Sequence, residues 1–241
     1  MNNLTAVVTG ASSGIGEAIA RHLLESGCSV ITLQRKAPPL EHARLTHYAV
    51  DLTDPAATAD VATEIANRCT VSCLVNNAGA NRPGPLEDAT IDDLEYAVAL
   101  NLRASMQLIQ AFTPGMRAAK FGRIVNISSR AALGKPYRMV YSATKAGLIG
   151  MSRTCALELG SDNITVNVVA PGPVATELFN RGHPAGSRQL QETIDSIVVK
   201  RVGTPDDIAR AVMFFLSPDS GYITGQTLYV CGGASIGAAG V

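Results

Sequence analysis

The 241-residue sequence contains no tryptophan, only 5% aromatic residues, and no net charge, with 20 Lys plus Arg against 20 Asp plus Glu. Binding to nucleic acid or to an anionic membrane needs a basic stripe or patch, so this balance excludes polyanion partners. The five cysteines (Cys28, Cys69, Cys73, Cys155 and Cys231) are odd in number and form no CxxC pair. They predict reduced core thiols rather than a disulfide framework. Cys69 and Cys73, taken with the four histidines, match no zinc-ligand spacing, and no metal is expected. No apolar stretch reaches the roughly 18 residues of a membrane span. The first strand-like run, Leu4 to Val8, begins too close to Met1 for the charged and apolar regions of a signal peptide. A cytoplasmic protein is the expectation. With no repeat, low-complexity tract or linker, and 46% hydrophobic residues, residues 1–241 are predicted to form a single domain.

What the sequence does have is alternation. Short β-branched runs are predicted as strands at Ala6–Thr9, Val30–Leu33, His47–Val50, Cys73–Val75, Arg123–Ile127, Ile164–Val169 and Thr227–Val230. Between them, helical periodicity covers Gly16–Ser26, Pro55–Arg68, Ile91–Ala111, Tyr141–Leu159 and Pro205–Leu216. Strand–helix–strand units require right-handed crossovers, and a run as continuously apolar as Val71–Val75 suits a strand buried on both faces. The expected fold is α/β: a doubly wound (Rossmann) parallel sheet of about seven strands with helices on both faces. In such sheets ligands bind beyond the carboxyl ends of the strands. The stretch from Pro171 to Arg201 is longer than an ordinary connection, and residues 173–200 are expected to form a substrate loop or lid.

The residues Thr9-Gly10-Ala11-Ser12-Ser13-Gly14-Ile15-Gly16 follow the first strand and open a helix. Glycine lets a backbone turn tightly and approach a pyrophosphate, while the free N–H groups and dipole of the helix attract its charge. A bound dinucleotide is the natural reading; a merely tight turn is the alternative. Tyr141 and Lys145 are four apart in a helical pattern and therefore share a face. A free phenol has a pKa near 10, and an adjacent ammonium would favour phenolate and bring Tyr141 into use as an acid or base.

The spacing of Gly10, Gly14 and Gly16 is GxxxGxG, and here the sequence resembles the classical short-chain dehydrogenase/reductase family. The resemblance runs along essentially the whole chain. It includes Asn76-Asn77-Ala78-Gly79, Asn101, Asn126-Ile127-Ser128-Ser129, Tyr141 with Lys145, Pro171-Gly172 and Tyr222-Ile223-Thr224-Gly225-Gln226. Arg201-Val202-Gly203-Thr204-Pro205-Asp206-Asp207-Ile208 is closest in flavour to 3-oxoacyl-carrier-protein reductases. Cys231 departs from the acidic residue that relatives of this type often carry there. The resemblance implies an oxidoreductase that moves a hydride between a nicotinamide and a carbonyl or secondary alcohol, and a homo-oligomer, tetramer or dimer. It implies that Ser12, Ser13 and Ile15 join the glycines in holding the cofactor, with Asp51 and Leu52 at the adenine. Asn77, Ala78 and Gly79 lie on the ribose side, and Pro171, Gly172, Val174 and Thr176 at the carboxamide. Asp51 could instead cap the following helix, and Asn77 could tie neighbouring strands together.

By the same resemblance the catalytic set is Asn101, Ser129, Tyr141 and Lys145. Tyr141 exchanges the proton, Lys145 also holds the ribose, Ser129 binds the substrate oxygen and Asn101 holds a water that links Lys145 to solvent. Ser128 competes with Ser129, since the interval from Ser129 to Tyr141 is one residue shorter than the family's commonest. A carboxylate at the end of the second strand would accept from a ribose 2′-OH and repel a 2′-phosphate. Gln34 and Arg35 stand there with Lys36 beside them, which favours NADP(H) and leaves NAD(H) open. Substrate identity should reside in residues 81–87, 130–140 and 174–199. Arg130, Lys135 and Arg138 have no acids near them in sequence, while Tyr137, Met139 and Phe179 could line an apolar pocket. The leading expectation is a ketone or 3-oxoacyl reductase. An alcohol, polyol or steroid dehydrogenase working oxidatively is the alternative, and a non-catalytic dinucleotide sensor is the alternative of another class. An extended-branch epimerase or dehydratase fits neither the glycine spacing nor the length.

Overall fold

The computed structural model describes Met1 and residues 3–236. Seven strands, β1 (Thr5–Thr9), β2 (Ser29–Gln34), β3 (Leu45–Ala49), β4 (Cys73–Asn76), β5 (Gly122–Ile127), β6 (Ile164–Pro171) and β7 (Thr227–Val230), form one sheet in the order β3-β2-β1-β4-β5-β6-β7. Every neighbouring pair is parallel. β4, β5 and β6 are buried along their whole lengths, as two-sided burial requires of central parallel strands. The doubly wound sheet is therefore as the alternation predicted.

Successive side chains of a strand point to opposite faces, and the core divides accordingly. Ala6, Val8, Val125 and Val169 pack with Ile19 and Leu23 of α1 (Gly14–Glu25) and with Val212 and Phe215 of a C-terminal helix, Pro205–Leu216. Val7, Ile124 and Val166 face the other way, onto Ile65 of α2 (Pro55–Arg68), Leu108 and Phe112. Two capping boxes start helices where the sequence places Thr-x-x-Asp: Thr90 with Asp93 opens α3 (Ile91–Val98), and Thr204 with Asp207 opens the C-terminal helix.

Two elements differ from expectation. The helix predicted over Ile91–Ala111 is α3, one π-turn over Ala99–Arg103, and α4 (Ala104–Ala119). It continues through Pro114 because Phe112, Thr113 and Met116 are buried in the core. The stretch expected as loop after β6 contains α6 (Glu177–Gly182) and α7 (Arg188–Asp195), which precede the C-terminal helix, α8. Each has a hydroxyl cap, Thr176 to Phe179 N and Ser187 to Leu190 N, and an i,i+4 pair, Arg181 with Glu177 and Arg188 with Glu192. Among the described residues no helix is long and apolar enough to cross a membrane, and no cluster could hold a metal ion.

The chain runs outward from β1 through β2 to β3, then returns to lay β4 against the other side of β1. That reversal leaves a crevice beyond the carboxyl ends of β1 and β4, where the loops holding Gly10 and Asn77 meet.

Candidate active site

At the crevice, glycine is demanded by space. A Cβ on Gly16 would lie 2.2 Å from the Gly10 carbonyl oxygen, and Gly10 itself turns with φ at +70°. The Asn77 amide nitrogen donates to the carbonyls of Thr9 and Gly10, 3.0 Å each, while Thr9 Oγ1 accepts from the backbone N–H of Asn77 and of Ala78, 2.9 Å each. Asn77 thus ties β1 to β4 and also lines the crevice. Ser13 precedes α1 in extended conformation and makes no side-chain cap, so the helix presents its first amides to the crevice. Gly14 faces Thr176 across it. These orphan donors over a close-approach backbone suit a pyrophosphate.

Two adjoining cavities lie along the strand ends. The larger, ≈ 710 Å³, is lined by Gly10, Ser12, Gln34, Arg35, Asp51 and Leu52, and by Asn77, Ala78 and Gly79. Within it the Asp51 carboxylate accepts from Thr53 N and Thr53 Oγ1, at 2.9 and 2.7 Å. Those two bonds, with the Arg35 charge, hold its pKa below the ordinary carboxylate value. Asp51 does not cap α2; Asp54 does, through Ala56 N and Ala57 N. Gln34 has a role the sequence did not disclose. It is buried, its amide oxygen accepts from Ala11 N at 3.2 Å, and its amide nitrogen lies 3.3 Å from His47 Nδ1. Gln34 therefore supports the glycine-rich turn, and Arg35 and Lys36 are the exposed charges at the cavity wall.

The smaller cavity, ≈ 450 Å³, shares Asn77 and Gly79 with the first and reaches Ile15, Ser129, Tyr141, Lys145, Pro171, Gly172, Val174 and Thr176. α5 (Met139–Leu159) carries Tyr141 and Lys145 on one face. The face is fixed against the sheet by a buried polar chain: Asn76 Nδ2 donates to Asn126 Oδ1, and Asn126 Nδ2 to Ser152 Oγ, both 2.8 Å. Lys145 is 3% exposed and donates from Nζ to the Ile127 carbonyl at 2.7 Å. Burial lowers its pKa to about 8. Its ammonium lies 5.8 Å from the centre of the Tyr141 ring.

The Tyr141 phenol is raised above its ordinary pKa by burial; the neighbouring Ser129 hydroxyl and the Arg138 charge act in the opposite direction. The expected lowering by Lys145 is not among these influences, because Lys145, with a pKa of about 8, has already lost its charge where the raised phenol titrates. The two serines have distinct surroundings. Ser128 Oγ donates to the Lys145 carbonyl at 2.7 Å and is 2% exposed, whereas Ser129 opens a short turn over Ala131 and reaches Tyr141.

Asn101 sits in the π-turn. Its amide oxygen accepts from Ala80 N at 2.8 Å, and its amide nitrogen donates to Ala80 O and Thr144 Oγ1, at 3.1 and 2.9 Å. A Cβ on Gly79 would lie 3.1 Å from Lys145 Nζ and 3.2 Å from Asn101 Oδ1, so the glycine leaves a narrow gap between those two groups. A π-turn widens a helix by one residue and here directs Asn101 inward. Thr9, Asn76, Asn126, Thr144 and Ser152 support the site. The first three stand in the quoted motifs but carried no role there, and the signal for Thr144 and Ser152 was only polarity on a buried helix face.

The family model described as enoyl-(acyl carrier protein) reductase matches residues 10–235. A (2S)-[(R)-hydroxy(phenyl)methyl]succinyl-CoA dehydrogenase subunit, BbsD, from Thauera aromatica is 35% identical, with 98% of each chain covered. Among solved structures, 4-hydroxyisoleucine dehydrogenase complexed with NADH superposes with a TM-score of 0.92 at 27% identity, over 98% of this chain and all of that one. A 3-oxoacyl (acyl-carrier-protein) reductase from Agrobacterium tumefaciens with NADP bound gives 0.86 at 28% identity, over 96% and 94%. With the glycine-rich turn, the switch-point crevice and these matches together, the chain belongs to the short-chain dehydrogenase/reductase family, oxidoreductases acting on CH–OH and C=O groups.

Proposed function

We propose that this protein is an NADP(H)-dependent reductase of a ketone or 3-oxoacyl compound. The observation that carries the reading is the meeting of Ser129, Tyr141 and Lys145 in a cavity that shares Asn77 and Gly79 with the crevice over the glycine-rich turn. When bound, the nicotinamide would supply the hydride for the carbonyl carbon. Tyr141 donates a proton to the carbonyl oxygen, and Ser129 hydrogen-bonds that oxygen as charge develops on it. Lys145, with a pKa of about 8, holds its proton at pH 7 and is poised to return one to Tyr141. Asn101 holds the Ala80 and Thr144 ends of the gap beside Lys145 and so shapes the path along which a proton reaches it. Gly10, Ser12, Ser13, Gly14, Ile15 and Gly16 would cradle the pyrophosphate. Asp51 and Leu52 would meet the adenine, and Pro171, Gly172, Val174 and Thr176 the carboxamide, with residues 173–200 closing over it.

The preference for NADP(H) rests on Arg35 and Lys36, two exposed cations at the end of β2 with no acid in the position after the strand. The NADH complex of the similar 4-hydroxyisoleucine dehydrogenase favours a second reading, oxidation of an alcohol with NAD, on the same residues. Assays in both directions with both cofactors separate the two. In them, Tyr141→Phe should lower kcat by about 10²- to 10⁴-fold with cofactor affinity kept. Arg35→Ala should weaken NADPH about 10-fold or more relative to NADH. A Phe variant as active as wild type would remove the catalytic assignment, and an unchanged cofactor ratio in Arg35→Ala would remove the NADP preference.

A further inference from the structure

The substrate end of the smaller cavity carries three cations that no carboxylate answers among the described residues. Arg130, Lys135 and Arg138 line it beside Ser129 and Tyr141, and no Asp or Glu does. Eight arginines, Arg21, Arg68, Arg82, Arg117, Arg181, Arg188, Arg201 and Arg210, pair with carboxylates among the described residues; these three cations do not, and they are gathered at one cavity rim. Arg138 donates to the Tyr137 carbonyl at 2.9 Å and Arg130 to the Ala234 carbonyl at 3.4 Å, neutral acceptors that leave both charges without a counter-ion among the described residues. Lys135 has no hydrogen-bond partner among the described residues.

The loop that presents them is held in place. Gly134 has φ at +98° and Tyr137, a bulky residue, φ at +61°, while the Tyr137 carbonyl accepts from Gly84 N at 3.1 Å across the mouth. A non-glycine residue in that region costs on the order of 1 kcal/mol and persists only where its surroundings enforce it. Lys135 is exposed as a residue, yet burial, then Arg138, then Arg130 lower its ammonium pKa. Three like charges gathered at one rim repel one another, and an anion seated between them relieves that cost. The rest of the substrate end is mixed, with Pro83, Ala131, Leu178 and Phe179 apolar and Asn81, His183 and Thr193 polar.

We propose that the substrate is a small oxo acid, with its carbonyl at Ser129 and Tyr141 and its carboxylate held by Lys135 and Arg138, Arg130 adding positive potential behind them. This rests on the reading of Tyr141 as the proton donor to a carbonyl. In the reaction the carbonyl carbon gains a hydride from NADPH and the oxygen gains a proton from Tyr141. The carboxylate is unchanged, and the products are the hydroxy acid and NADP⁺. A carboxylate fits better than the phosphates of a pantetheine-type thioester for a reason of distance. Arg138 is the N-cap of α5, three residues before Tyr141, and lines the same cavity, so the anion it binds lies near the reacting carbonyl. Thioester phosphates lie much further from theirs.

Pyruvate, acetoacetate and levulinate, each beside its methyl ester, provide the test. Calorimetry measures their binding to protein carrying NADP⁺, and nicotinamide absorbance measures turnover with NADPH. At least one acid should bind about 10-fold or more tightly than its ester. In the Lys135→Met, Arg138→Gln double variant, still binding NADP⁺, the acid should lose about 10- to 100-fold more affinity and kcat/KM than the ester does. Lys135→Arg should keep the preference, which a merely structural role for the lysine would not require. Esters that equal every acid, or a double variant that weakens both alike, overturn the proposal. Acid-selective binding without turnover in either direction would leave the anion site standing and overturn the reductase reading instead.

Discussion

Replacing Ser128 and Ser129 one at a time by alanine separates two roles that chain position alone leaves ambiguous. Ser128 Oγ is buried and donates at 2.7 Å to the carbonyl of Lys145, inside α5. That carbonyl keeps its helical partner four residues on, so Ser128→Ala removes one net hydrogen bond, about 1 kcal/mol. In a chain of this length that is about 2–4 °C in Tm, with kcat/KM changed by no more than about 3-fold. Ser129 faces the cavity and Tyr141, and caps only the short turn at Ala131, 3.1 Å away. Ser129→Ala should therefore cost at most about 1 kcal/mol of stability while lowering kcat by about 10²- to 10³-fold, the loss of a donor to a developing oxyanion. Thermal melts give the stability of both variants, and nicotinamide absorbance with an accepted ketone gives the rates. If folded Ser128→Ala lost activity a hundredfold while Ser129→Ala kept it, the assignment drawn from the hydrogen bonds would be refuted.

Two further outcomes follow from the same geometry. Gly16→Ala puts a methyl 2.2 Å from the Gly10 oxygen and 2.5 Å from Asn77 Nδ2, so the turn must move at a cost of about 1–3 kcal/mol; NADPH affinity by fluorescence titration should fall at least about 10-fold, and an unchanged affinity would contradict the cradle. Lys145 has a pKa of about 8 in the fold against 10.5 unperturbed, so between those values the unfolded chain binds a proton that the folded chain does not. Stability should then rise with pH through that window, by up to about 3 kcal/mol, relative to a Lys145→Met variant. Parallel denaturation curves for the two proteins from pH 7 to above pH 10 would count against the buried ammonium.

The sequence alone determined the parallel sheet, because continuous apolar runs alternating with amphipathic helices have few other ways to bury themselves. It also pointed to residues that line the crevice, Gly10, Ser12 and Ile15 among them. Glycines 10, 14 and 16 announce a close backbone approach, and the i,i+4 spacing of Tyr141 and Lys145 puts them on one helix face whatever surrounds them. Tertiary structure decided what each polar group is bonded to, since those partners lie far apart in the chain. Gln34, read as a cofactor selector, is drawn beneath the turn by Ala11 and His47. Asn77 is shared between strand ends and crevice, and Lys145 is aimed at the Ile127 carbonyl. The π-turn at Asn101 and the two caps of α6 and α7 were equally hidden. A single extra residue in a helix leaves no periodic trace, and short helices are held by caps and packing rather than by propensity. The difference is one of range. Local pattern sets element type and facing, while burial and hydrogen bonding across the sheet set the charge, orientation and neighbours of each side chain.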